Sequence, residues 1–138
     1  MTAIPIVPNP NHPAMIQCMG LPCVTVKLTA PAGSRRSYSA SFLVDTGATD
    51  SMAPGRELRK AGIKPVGKTA YELADGQVKE FHFGLPQIEF MGEITSGRVI
   101  FADDNTEPLL GVTALESVGI LVDAANKTLK RLPAIPLK

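Results

Sequence analysis

From Pro22 onward the chain alternates apolar and polar residues in short stretches, each broken by glycine, proline or aspartate. Val24, Val26 and Leu28 alternate with Thr25, Lys27 and Thr29, and the turn Pro31-Ala32-Gly33-Ser34 follows. Tyr38, Ala40, Phe42 and Val44 then alternate again up to Asp45. A period of two puts every second side chain on one face, so each stretch reads as a strand with one buried face. Two such strands across a polar turn predict an antiparallel hairpin. Further strands are expected near 69–73, 77–83, 87–90 and 97–102, with turns at Asp75-Gly76, at Gly84 with Pro86, and at Met91-Gly92. A short helix is predicted over 54–61, with Pro54 at its first position and Gly62 closing it. A second is predicted over 113–118, with Thr113 as cap and Glu116 at capping-box spacing, ended by Gly119. Residues 120–122 and 129–132 read as a closing hairpin. The fold class that follows is mostly β: a closed, mainly antiparallel barrel with one or two short helices.

The 138 residues suit one domain. Pro5, Pro8, Pro10 and Pro13 crowd the opening, and proline cannot donate to a sheet ladder, so residues 1–20 are expected as an extended arm before a domain over 21–138. Fourteen basic against thirteen acidic residues leave a charge of +1, without the basic excess that displaces counterions from phosphates. No nucleic-acid partner is expected. No apolar run nears the ~18–20 residues that span a bilayer, and the opening residues lack the pattern of a secretory signal. The expectation is a soluble, cytoplasmic domain without a membrane partner, whose Cys18 and Cys23 are reduced thiols.

Phe42-Leu43-Val44-Asp45-Thr46-Gly47-Ala48-Thr49 carries the most chemical information. By itself, Asp45 before Thr46 and Gly47 reads as an Asx-turn ending a strand. The apolar run before it also delivers a carboxyl to the edge of a buried layer, where it can serve as an acid or base. The run from Leu43 to Thr49 resembles the active-site motif of retropepsin-like aspartic proteases, two apolar residues followed by Asp-Thr-Gly-Ala-Thr/Ser. A second element similar to that family's is Leu109-Leu110-Gly111, followed by the 113–118 helix and the strand after Gly119. The resemblance spans roughly residues 22–132, and this chain looks closer to bacterial and cellular relatives than to viral enzymes.

The resemblance implies peptide hydrolysis by two aspartates that share a proton and hold one water. Asp50, Asp75, Asp103, Asp104 and Asp123 are not followed by Thr-Gly or Ser-Gly, and 138 residues leave no room for a second lobe. The second aspartate therefore has to come from a second copy, making a homodimer with Asp45 of each chain at the two-fold axis. On the same resemblance Thr46 bonds across the dyad, and Gly47 allows the turn that sets backbone N–H groups against the carboxylates. Ala48 lacks the hydroxyl of Ser-type members that favours the ionised form, which implies activity in mildly acidic solution. Ala74-Asp75-Gly76 would form the tip of a hairpin flap over a peptide or protein substrate, although it lacks the glycine-rich run of viral flaps. After Gly111, Val112-Thr113 replaces the Arg and Asp or Asn of viral enzymes, so other contacts would hold the dimer. No cofactor and no metal are implied. A dimeric peptide-binding module that keeps the groove without catalysis is the alternative.

Gly62 to Thr69 also fits the nucleotide-binding expression G-x4-G-K-[ST]. Such a loop needs a strand before its first glycine and a helix after its last residue. Here a charged, helix-like stretch precedes Gly62, and only five residues separate Thr69 from Asp75, so a solvated loop is expected instead. Neither His12 nor His82 has a second ligand at useful spacing.

Overall fold

The computed structural model describes residues 4–6, 15–18, 21–31, 35–123, 125–126 and 128–137. His12 and the turn residues 32–34 lie outside them. The elements in chain order are β1 (Ile4–Ile6), β2 (Met15–Cys18), β3 (Leu21–Thr29), β4 (Ser37–Val44), β5 (Ser51–Pro54), α1 (Gly55–Lys60), β6 (Gly67–Glu72), β7 (Val78–Gly84), β8 (Gln87–Phe90), β9 (Glu93–Ser96), β10 (Val99–Ala102), β11 (Leu109–Leu110), α2 (Val112–Ser117), β12 (Ile120–Asp123) and β13 (Thr128–Arg131). One large sheet runs β6-β7-β10-β5-β11-β4-β3-β8-β9, with β2 paired to β3, and a second sheet runs β1-β13-β12.

The predicted hairpin is β3 with β4, in register from Cys23 opposite Leu43 to Thr29 opposite Ser37. Its alternation does what a period of two requires: Val24, Val26 and Leu28 are at most 1% exposed, while Thr25 and Lys27 face water. Phe42, Leu58, Ile63, Ile88, Val99, Leu110, Leu115, Ile120 and Leu129 complete one core shared by both sheets and both helices. Burying each such side chain contributes on the order of 1.5–3 kcal/mol.

Among the described residues the fold is mostly β with two six-residue helices, as the pattern predicts. It is not wholly antiparallel, because β10 runs parallel to β5 and β11 parallel to β4. Nor does the barrel close: the sheet curls, but its path ends at β6 and β9. Only Phe83 and Gly84, at the base of the β6–β7 hairpin, pair with β10, so β6 is left as an edge. Within the stretch expected as an arm, β1 pairs with β13 and β2 with β3.

Pro54 is the N-cap of α1 rather than its first helical residue. The other end is a Schellman motif: Gly62, at φ +80°, donates its N–H to Arg59 O, and Ile63 donates to Leu58 O. That geometry disposes of the phosphate-loop pattern, since Gly62 ends a helix and Lys68 and Thr69 lie within β6. The N-cap of α2 is Gly111, not Thr113, and no side chain caps the helix. Cys23 is disulfide-bonded, and no described cysteine is free, which corrects the expectation of reduced thiols.

Candidate active site

Asp45 follows directly on β4, and its position is set by a strand from far along the chain. The two residues of β11 insert between β4 and β5, with Leu109 beside Leu43 and Met52 and Leu110 beside Val44. Leu43 N donates to Pro108 O (3.0 Å) and Asp45 N to Leu110 O (3.2 Å). Leu110 is fully buried and anchors this junction in the core. Gly111 is wanted for closeness: a Cβ there would stand 2.6 Å from both Thr49 O and the Asp50 carbonyl carbon. Its N–H donates to the hydroxyl of Ser51 (3.0 Å), itself 3% exposed.

The loop after Asp45 is built from backbone bonds. Asp45 Oδ1 accepts the Gly47 N–H (2.8 Å), and Ala48 N donates to Asp45 O (3.2 Å). The Asx-turn expected from residue types alone is therefore present, and it fixes one carboxylate oxygen. Oδ2 takes no partner among the described residues, and Asp45 is half-buried while Thr46 and Gly47 are exposed. On the far side, Val112 N donates to Ala48 O (2.9 Å) and Thr113 N to Thr49 O (3.2 Å). The first amides of α2 thus take loop carbonyls as partners, which is why no side chain caps it. A mainly apolar groove of about 320 Å³ lies against Thr46, lined by Val112, Leu115, Leu121 and Val122.

Asp75-Gly76 does turn a hairpin. Leu73 N donates to Gln77 O (2.7 Å), Asp75 Oδ1 accepts the Gln77 N–H (3.0 Å), and Gly76 sits at φ +85°, where a Cβ would be strained. Ala74, Asp75 and Gly76 are exposed and make no described contact with Asp45. The link between hairpin and loop is one that the sequence patterns do not reveal: Tyr71 Oη donates to Asp50 Oδ2 at 2.6 Å. Beside it, Arg98 Nη1 donates to Thr69 Oγ1 (2.6 Å) while its guanidinium lies 4.2 Å from the centre of the Phe83 ring. The alternation over 69–73 places Thr69 and Tyr71 on one face; nothing in it tells what that face meets.

Burial, and then the neighbouring Asp50 as acceptor and charge, push the Tyr71 phenol above the usual tyrosine value of 10.0. Burial and the charge of Glu57 do the same to Tyr38. These are the chain's two tyrosines, so ultraviolet titration should show no phenol ionising at its ordinary pH. Because both folded values are raised, stability is full below pH 10.0 and falls as pH rises through the folded values. Asp50→Asn should lower one of the two titrations; an unchanged pair would contradict the Tyr71–Asp50 contact.

A family model described as "gag-polyprotein putative aspartyl protease" matches residues 36–117, a span holding both the Asp45 loop and the Leu109-Leu110-Gly111 junction. The chain belongs to that family. Among solved structures it is similar to a retropepsin-like aspartic protease from Rickettsia conorii, at 18% identity and a TM-score of 0.52, over 94% of this chain and 88% of that one. It is also similar to the retroviral protease-like domain of Ddi1 from Leishmania major, at 15% identity and a TM-score of 0.47, over 81% of this chain and 90% of that one. No curated protein matches it in sequence. The fold is retropepsin-like. Among the described residues no cluster of three or more His, Cys, Asp or Glu could hold a metal ion, and no helix is long and apolar enough to cross a membrane.

Proposed function

We propose that this family member is an active aspartic endopeptidase that works as a homodimer, with the two Asp45 carboxylates sharing one proton and one water. The observation that carries this reading is the Asp45 loop, where one oxygen is held by the Gly47 N–H and the peptide is pinned between β4 and β11. One such loop per chain means that a paired site takes two chains. Like charges a few ångströms apart cannot both ionise. One carboxylate then draws a proton from the water as it attacks the peptide carbonyl, while the protonated partner donates to the carbonyl oxygen. Thr46, exposed at the loop's edge, would bond across to the other loop. Leu109, Leu110 and Gly111 hold the loop rigid, and the tip at Ala74, Asp75 and Gly76 covers an extended peptide added as a strand. The chemistry needs no metal or organic cofactor.

The test is a peptide-library digest read by mass spectrometry across about pH 4–7, on protein whose assembly is followed by sedimentation. Cleavage with a mildly acidic maximum by the dimer is expected, Ala48 offering no hydroxyl to favour the ionised dyad. A dimer that cuts nothing would overturn this reading in favour of a peptide-binding module.

A further inference from the structure

The β6–β7 hairpin carries its own restraint. β6 is an edge strand whose ladder partner is β7, and among the described residues β7 in turn pairs with the body at Phe83 and Gly84 alone. Among the described residues, two side-chain bonds tie β6 itself to the body: Thr69 to Arg98, near the base, and Tyr71 to Asp50, close to the tip. The second has a firm anchor. The backbone at Thr49 and Asp50 is packed against Gly111 so closely that no Cβ fits, and Thr49 O accepts from the first turn of α2. The bond is also short, a phenol donating to a carboxylate at 2.6 Å, a class roughly twice as strong as neutral pairs. It cannot survive if the distal half of the hairpin rises.

We infer that Tyr71 is a positioning residue: its hydrogen bond to Asp50 latches the hairpin down beside the Asp45 loop, and breaking that bond lets the hairpin lift. The inference rests on the protease reading for its meaning, since a flap that closes over peptide is what the latch would serve, but the latch itself is testable without catalysis. Tyr71→Phe keeps the ring that meets Phe81 edge-on and removes the hydroxyl. Asp50→Asn keeps an oxygen acceptor and weakens the bond.

The experiment uses the whole 138-residue chain with spin labels at Ala74→Cys on the hairpin tip and Glu107→Cys on the body, diluted into unlabelled protein so that one labelled chain is read at a time. Both positions are exposed. The unmodified latch should give one dominant distance. Tyr71→Phe should raise the population at longer distances by about tenfold, and Asp50→Asn should do so less, in keeping with the loss of one charge-assisted bond. Superimposable distance distributions in all three proteins would overturn the latch. In parallel, Tyr71→Phe should raise KM about three- to tenfold with kcat within about twofold, since it releases the flap without touching the reacting atoms. Equal losses in kcat and thermal stability, with KM unchanged, would mark Tyr71 as a packing residue and count against the latch. If the unmodified protein cleaves nothing, the protease reading fails on its own and the distance measurement still decides the latch.

Discussion

Asp45→Asn is expected to leave folding intact and to reduce peptide cleavage by about 10³–10⁴-fold, to the limit of detection. The side chains are nearly isosteric, and the asparagine oxygen can still accept the Gly47 N–H that now goes to Asp45 Oδ1. What the amide cannot do is share a proton with its counterpart or take one from water. The substitution therefore separates chemistry from architecture. Thermal unfolding within a few degrees of the unmodified protein, with cleavage gone, is the predicted pair of results, and full activity in the variant would contradict the assignment of Asp45.

Gly111→Ala should be the most destabilising single-atom addition in the site. The φ of Gly111 is an ordinary −84°, so the cost is steric rather than conformational. The new methyl would meet Asp50 C and Thr49 O at 2.6 Å and Asp50 O at 2.7 Å, all backbone atoms of the loop that follows Asp45. Relief requires moving that loop away from β11 and α2, which breaks the bonds from Val112 and Thr113 to Ala48 and Thr49. A loss of about 3–5 kcal/mol is expected, enough to lower Tm by roughly 10–20 °C, checked by calorimetry or denaturant unfolding. Gly97→Ala is the control: nothing lies within 4 Å of its Cβ, and Tm should hold within a few degrees.

Gly111 also shows where reading a sequence stops. Leu109-Leu110-Gly111 can be singled out by resemblance, and so can Asp45, yet what joins them is a strand of two residues. Two residues have no period, so β11 exists only by virtue of β4 and β5 on either side of it. β5 was hidden for a related reason: Ser51, Ala53 and Pro54 are all buried, so no face alternates. The long hairpin β3–β4 was legible because one of its faces is dry and the other wet. Thr113 and Glu116 make a sound capping pattern, but the carbonyls of Ala48 and Thr49 satisfy the helix start first. Tyr71 and Asp50 lie twenty-one positions apart with no pattern linking them; only the curl of the sheet brings phenol to carboxylate.

The central claim is that one active site needs Asp45 from two chains, and mixing unmodified protein with Asp45→Asn tests it most directly. With subunits exchanged freely at fixed total concentration, the active fraction should follow the square of the unmodified fraction, so an equal mixture keeps about a quarter of the activity. A linear dependence, with about half the activity left in the equal mixture, would mean that each chain carries a complete site and would contradict the shared dyad.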